Sequence, residues 1–400
     1  MLYSGDQTFL KQINRSALLR LVRQRPHLSR AEIAKHTGLT KSTVGLLVAE
    51  LIAEGWLSEG RSVASVVGRP STPLSLNDEQ LVILGAELGG DNTNVLAVTP
   101  SGRILERRYV HRDRAEHDYA PADLIAALAG DLAAVLDTQR RAGRRVVGLG
   151  LGAGGPVERV TDLLTVAPHW GWRDVPLREL FAPHLARLGL AGLPFLIANE
   201  ADAGALGERL FGERPGDGPL LYLSVGIGLG GGVVIGDQPL GGRAGFAGEV
   251  GHVTLDVQGP ACPCGNVGCA EVLIGLQALA ARLGRPHVNV DEVLAALRLG
   301  DPHAAGAVEA SGRWLGVLIA NLVNIFNPSA VVVGGPLAEL GAALLDPARA
   351  EAERRALGRS FAYTDITLCT SGRDACALGA AGAVMQDVFS LALPTRLAGD

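Results

Sequence analysis

Leu220-Leu221-Tyr222-Leu223-Ser224-Val225-Gly226-Ile227-Gly228-Leu229-Gly230-Gly231-Gly232-Val233-Val234-Ile235 reads as an apolar strand, a glycine turn and a second apolar strand. Its glycines, with Ser224 and Tyr222, suit a glycine-turned strand pair better than a membrane span. The segment from Leu81 to Val98 repeats the theme, with its turn at Gly89-Gly90-Asp91. Around both, apolar strands punctuated by glycine alternate with helical stretches, the signature of an α/β architecture. One hairpin stated twice points to two lobes facing a cleft. Glycine turns of this kind let backbone amides approach phosphate oxygens, and they serve tight hairpins equally well.

The chain has 400 residues, 48% of them hydrophobic and 19% charged. That is a globular composition, too long for one ordinary core, and it implies two or three domains. Five cysteines without a paired spacing argue against a disulfide framework. No leader pattern or transmembrane helix is legible, so the expected compartment is a reducing cytoplasm. Charge is uneven. Residues 1–75 hold ten Lys and Arg against five Asp and Glu, a net of +5, whereas the whole chain carries −5, which leaves −10 on the remainder. A basic head on an acidic body assigns contact with an anionic polymer to the head.

Ser29-Arg30-Ala31-Glu32 is a capping box and starts a helix that ends near Gly38. Thr40 caps a second helix, in which Val44, Leu47, Val48, Leu51 and Ile52 form one apolar stripe. An earlier helix, about 14–25, brings Ala17, Leu18, Leu21 and Val22 to close a three-helix core. The product is a helix-turn-helix, whose second helix offers Lys41, Ser42 and Thr43 to bases and phosphates. Two short strands at 55–60 and 68–76 make a wing with Arg69 at its tip, in reach of a minor groove or a phosphate.

His252, Cys262, Cys264 and Cys269 place one imidazole and three thiols within eighteen residues, the ligand set of a closed four-coordinate zinc site. Three of the five cysteines fall in eight residues. Glu249 and Glu271 flank these ligands, so one structural Zn2+ ion is expected to brace a pocket for something hydroxylated.

Gly150-Leu-Gly-Ala-Gly-Gly155-Pro156-Val157, Asn199-Glu200-Ala-Asp202 through Glu208, Gly245 through His252, the Cys262–Glu271 run and Asn327-Pro328 through Gly335 stand together in this chain. With them it resembles the ROK family, as a transcriptional repressor in which a winged helix-turn-helix is fused to a sugar-kinase-like body. The resemblance covers about 14–385. It implies a two-lobed actin/hexokinase-like (ribonuclease H-like) α/β fold. The domains expected are a head at 1–78, a first lobe at 79–197 completed by a C-terminal helix at 372–390, and a second lobe with the zinc site at 198–371. It further implies a sugar pocket of Asn199, Glu200, Glu249, His252 and Glu271.

Two positions depart from the kinases of that family, which carry Asp where this chain has Glu87 and a catalytic Asp where it has Glu200. An added methylene displaces a general base by about a bond length, enough to spoil alignment with a hydroxyl. Asp91 in the first glycine turn also repels nucleotide phosphates. The expected function is therefore a non-enzymatic, sugar-responsive repressor. It binds double-stranded operator DNA as a homodimer or homotetramer and senses a monosaccharide of the xylose or glucose type. The alternative is an active ATP-dependent sugar kinase with a DNA-binding head. Trp170 and Trp172 are open between packing and ligand stacking. Cys369 and Cys376 read as buried and without redox duty, and the apolar helix from Trp314 to Phe326 reads as packing between lobes.

Overall fold

The computed structural model describes residues 7–61, 72–112, 119–213 and 218–390. The head comprises α1 (Gln7–Gln24), α2 (Arg30–Thr37), α3 (Lys41–Ala53), β1 (Leu57–Glu59) and β2 (Leu74–Leu76). The capping box forms as the sequence predicts: Glu32 N donates to Ser29 Oγ, and Ser29 N donates to Glu32 Oε2 at 2.8 Å. Thr40 caps α3 through the Thr43 amide. β1 and β2 pair antiparallel. The wing tip, including Arg69, lies outside the described residues.

The first helix differs from expectation. It begins at Gln7, and it buries Leu18, Leu19 and Val22 while Ala17 is exposed. The reason is that the head does not close on itself. Its apolar cluster is continuous with Leu81, Ile83, Leu96 and Val98 of the body and with Leu378, Met385 and Phe389 near the C-terminal end.

The body continues with β3 (Leu81–Leu88), β4 (Asn92–Val98), β5 (Ile104–His111), α4 (Pro121–Arg141), β6 (Arg145–Ala153), β7 (Val157–Glu158), β8 (Leu163–Ala167), β9 (Trp172–Pro176), α5 (Leu177–Leu188) and β10 (Phe195–Asn199). After α6 (Glu200–Phe211) come β11 (Leu220–Val225), β12 (Leu229–Ile235), β13 (Gln238–Pro239), a 3-10 turn at Val250–His252, α7 (Ala270–Ile274), α8 (Leu276–Arg282), α9 (Val290–Arg298) and α10 (Pro302–Phe326). The order closes with β14 (Ala330–Gly334), α11 (Ala342–Arg355), α12 (Gly358–Ala362), β15 (Asp365–Leu368) and α13 (Ala375–Phe389).

The two main sheets repeat one topology. The first runs β10-β6-β3-β4-β5 and the second β15-β14-β11-β12-β13. In each, two parallel pairings are followed by two antiparallel ones. Helices α6 and α13 lie between them, α6 against β11 and β12, α13 against β3 and β6. They cross backbone to backbone: a Cβ on Gly379 would stand 1.7 Å from the Ala203 carbonyl oxygen, a separation only glycine permits.

Helix α10 corrects one expectation. Its Leu315, Leu318, Ile319, Leu322 and Val323 pack inside the second lobe with the β11 and β14 residues and with α11, not between the lobes. Asn321 and Asn324 lie on its exposed side. No helix among the described residues is long and apolar enough to cross a membrane.

Candidate functional site

In open α/β sheets ligands bind beyond the carboxyl ends of the parallel strands. Here those ends are level: Leu88 pairs with Ala153, and Asn199 pairs with Ala153 from the other side. The β11–β12 turn meets them from the second lobe, since a Cβ on Gly90 would lie 3.7 Å from Ile227 Cδ1. The two glycine turns thus face one another. The first is held by Trp170, whose Nε1 donates to the Gly89 carbonyl at 2.8 Å. Trp170 stacks on Trp172, with 5.5 Å between centroids. Trp172 Nε1 in turn donates to the Tyr119 carbonyl at 3.0 Å. Both indoles are buried. They are scaffold for the turn.

Asn199 ends β10 and caps α6. Its Oδ1 accepts from the amides of Ala201 (2.8 Å) and Asp202 (3.3 Å), and its Nδ2 donates to the Gly155 carbonyl at 2.9 Å. The amide therefore ties the start of α6 to the β6–β7 turn, a role that an Asn before a helix could have signalled. Glu200, the first residue of α6, accepts a hydrogen bond from Ser224 Oγ of β11 at 3.4 Å, which fixes it within the second lobe at the cleft floor. Burial pushes its carboxyl above the usual range. Glu87 is pushed up to about 8, by burial first and by the charge of Glu200 second, and its Oε2 is buried without a partner. Glu87 is thus largely protonated at neutral pH, a donor of hydrogen bonds rather than a general base.

The metal-ligand set assembles on the second lobe. Cys262 N donates to the Asn266 carbonyl and Gly265 N to the Cys262 carbonyl, forming the tight turn. An isolated bridge pairs Thr254 with Cys269. Gly268 has a φ of 65°, and a Cβ there would lie 1.6 Å from the Asp256 carbonyl oxygen, so no other residue allows the chain to turn Cys269 inward. His252 Nδ1 stands 3.8 Å from Cys262 Sγ, and Cys264 Sγ stands 3.8 Å from Cys269 Sγ. All four ligand atoms lie within 4.8 Å of one another. Two sulfurs bound at about 2.3 Å to a tetrahedral centre stand about 3.8 Å apart, so the spacing suits a metal ion. Burial and the neighbouring thiols push Cys269 up to about 12, a penalty that a dication reverses.

Glu249 immediately precedes the 3-10 turn that carries His252, and Glu271 sits in the first turn of α7, just after Cys269. Glu271 Oε2 accepts from Leu229 N at 3.1 Å, pinning it to the start of β12. Burial raises the Glu249 carboxyl, opposed by His252 and reinforced by Glu271. The result is a set of carboxyl groups anchored to the metal-ligand loop, able to accept hydrogen bonds from vicinal hydroxyls.

In the head, Lys41 and Ser42 are exposed and Thr43 is half-buried on the first turn of α3. The Thr40 hydroxyl lies 2.9 Å from that of Ser42 and 2.8 Å from that of Thr43, so both are partly committed to the cap. The exposed stripe of α3 continues through Leu46, at 68% exposure, and Ala49. Those two were not singled out from sequence, although they stand opposite the apolar stripe. An aliphatic side chain on such a face suits a thymine methyl.

The ROK family model matches residues 83–387. The chain belongs to the ROK family. Ahead of its ROK body, the IclR helix-turn-helix domain model matches residues 16–60. Among ROK relatives, the xylose repressor of Caldicellulosiruptor bescii is 33% identical over 402 residues, covering 96% of this chain and 98% of that protein. The crystal structure of a ROK family transcriptional regulator, a homolog of the E. coli MLC protein, superposes with a TM-score of 0.77 at 26% identity, covering 95% of this chain and 96% of that one. A ROK family glucokinase from Streptomyces griseus, solved with glucose and AMPPNP, gives a TM-score of 0.63 at 30% identity, covering 76% of this chain and 98% of that one.

Proposed function

We propose that this ROK-family protein is a sugar-responsive transcriptional repressor, with operator DNA read by α3 and the wing and a monosaccharide of the xylose or glucose type sensed in the interlobe cleft. The observation that carries the reading is the joining of a helix-turn-helix head to a cleft whose carboxyl groups hang from a metal-ligand loop. Near full-length similarity to a xylose repressor supports the repressor half. Similarity of the body to a glucokinase solved with glucose supports the sugar half.

Asn199, Glu200, Glu249, His252 and Glu271 are the sugar contacts in this reading, and Lys41, Ser42, Thr43 and Arg69 the DNA contacts. His252, Cys262, Cys264 and Cys269 hold one Zn2+, whose chemistry there is structural. With Nδ1 of His252 toward the thiols, Nε2 is left for a hydroxyl, and ligation fixes the ring's tautomer and orientation. Two heads are needed to span half-sites about 34 Å apart, so the repressor acts as a homodimer or homotetramer in a reducing cytoplasm. A coupling of roughly 1–3 kcal/mol between sugar and DNA suffices to change operator occupancy. A mobility-shift titration of DNA complexes with monosaccharides tests the reading. Release or tightening by one sugar is expected, and indifference to all of them ends it.

The second reading, an ATP-dependent sugar kinase, draws on the glucokinase similarity alone. The buried, proton-retaining Glu87 and the lengthened Glu200 weigh against it. Coupled assays on zinc-loaded protein distinguish the two: turnover of any hexose or xylose favours the kinase.

A further inference from the structure

Asp202 is the third residue of α6, and its helical neighbours are committed to packing. Ala201 lies against β12, where a Cβ on Gly230 would meet its Cβ at 3.2 Å, and Ala203 lies against α13. The Asp202 side chain has no such partner. Its Oδ1 is sealed from solvent and receives no hydrogen bond. The charges that act on it belong to Glu249, beside the metal-ligand loop, and to Arg159, in the β7–β8 turn of the first lobe. Burial and Glu249 push the carboxyl up to about 7, against the pull of Arg159.

Arg159 lies where the lobes touch. Its amide donates to the Ala244 carbonyl at 3.2 Å. A Cβ on Gly245 would stand 2.5 Å from the Val157 carbonyl oxygen, and one on Gly241 would stand 2.7 Å from Arg159 Nη1. The hairpin of the first lobe thus lies directly on the loop at 241–248 that leads into Glu249 and His252. Asp202 is a half-buried carboxyl, one oxygen of which is deprived of water and given no protein donor, in the field of a cleft glutamate and of the arginine at the interlobe contact. Folding alone does not favour such a group, and its persistence fits a hydrogen bond supplied from outside the chain.

We propose that Asp202 is a further recognition residue of the cleft, taking a hydrogen bond from a hydroxyl of a neutral monosaccharide next to the hydroxyl held by Glu249, with Arg159 positioning it across the lobe contact. The inference rests on the sugar-binding reading above. Its consequence is selectivity by charge: Asp202, Glu249, Glu271 and Glu200 bring no cation to a sugar phosphate or a uronic acid, an anion drives their raised carboxyls further toward the protonated form, and each one that ionises repels it. Neutral pentoses and hexoses are the class admitted.

Calorimetry on the full-length, zinc-loaded protein with D-xylose, D-glucose, D-glucuronate and glucose 6-phosphate tests this, using wild type, Asp202→Asn, Asp202→Ala and Arg159→Gln. Whichever neutral sugar binds wild type is expected to lose about tenfold or more in affinity in both Asp202 variants, and less in Arg159→Gln. The anionic sugars bind wild type at least about tenfold more weakly than their neutral counterparts. Without sugar, Asp202→Asn is expected to keep its zinc and to melt no lower than wild type, because it removes a charge that burial and Glu249 disfavour. Unchanged sugar affinity in Asp202→Asn and Asp202→Ala overturns the role of Asp202 while leaving the sugar site standing. A lowered melting temperature with unchanged affinity assigns Asp202 to the scaffold and overturns it as well. Failure of wild type to bind any of these sugars sinks this inference together with the reading on which it rests.

Discussion

The indole of Trp56 meets the ring of Phe389 edge-on, with 5.7 Å between centroids and 79° between planes. Trp56 follows α3, and Phe389 is the last residue of α13. Around this contact Ser16 Oγ donates to the Phe389 carbonyl, and Arg145 Nη2 donates to the Glu54 carbonyl at 2.8 Å. At the other end of α13, the thiol of Cys376 lies in the field of Glu87 and Glu200 on the cleft floor. A fifteen-residue helix, about 22 Å long, therefore connects the carboxyl cluster to the core of the head.

Truncating that joint separates stability from communication. Phe389→Ala is expected to cost about 3–5 kcal/mol of stability, and Phe389→Leu less, because the ring is buried in a cluster shared by head and body. In Phe389→Leu, sugar affinity is retained while the sugar-dependent change in DNA affinity shrinks. Thermal melts, calorimetry and mobility shifts on one preparation measure the three quantities. A full sugar response in Phe389→Leu removes α13 as the connecting element.

Removing the metal acts on two levels. Elemental analysis is expected to find one zinc per chain, and Cys262→Ser to lower both the zinc content and the melting temperature. Sugar affinity falls with it, since Glu249 and Glu271 stand on the segments that the four ligands gather. Gly268→Ala should mimic the loss without touching a ligand, because its Cβ has no room beside Asp256. Normal sugar binding in the metal-free protein would separate the two sites.

Much of this was legible in the sequence because it is local. The capping box at Ser29, the Thr40 cap, the glycine hairpins and the His252–Cys269 cluster each depend on residues close along the chain. What was illegible depends on tertiary partners. Leu19, not Ala17, is buried because α1 faces the C-terminal helix as well as α2 and α3. The face of α10 was assigned to the lobe interface because periodicity gives a buried stripe but not what covers it. Asp202, quoted only as part of the Asn199–Glu208 run, was given no role because an acid in the first turn of a helix is ordinarily a solvated, favourable residue. Only the burial of its Oδ1, in the field of Glu249 and of Arg159, makes it otherwise.

The carboxyl cluster predicts an alkaline weakness. In the unfolded chain Glu87 ionises near its ordinary 4.5, whereas in the native protein it holds its proton up to about 8. The native state therefore binds more protons across that window, so the stabilisation is complete below the lower value and is lost as pH rises through the upper one. The slope for one such group is at most about 1.4 kcal/mol per pH unit. Glu200, Asp202, Glu208 and Glu249 shift in the same direction. Glu87→Gln should melt higher than wild type at pH 8 and lose less stability between pH 5 and 8. Calorimetric melts in half-unit steps check this, and parallel profiles for the two proteins would refute it.

On the DNA side, Lys41 and Leu46 make different contributions that salt can separate. Both side chains are exposed on α3, so Lys41→Ala and Leu46→Ala should each leave stability within about 0.5 kcal/mol of wild type. A lysine against phosphate releases counterions, so Lys41→Ala should reduce the slope of log affinity against log salt by about 0.9 and weaken all duplexes alike. A leucine against base edges does neither. Leu46→Ala should keep the wild-type slope and lose affinity mainly for the preferred sequence, by the loss of apolar contact to a thymine methyl. Fluorescence anisotropy over a salt series, with duplexes selected from a random pool, resolves the two effects. An unchanged slope in Lys41→Ala would mean that the first turn of α3 does not lie on the phosphate backbone, and the docking of the head would have to be redrawn around the wing.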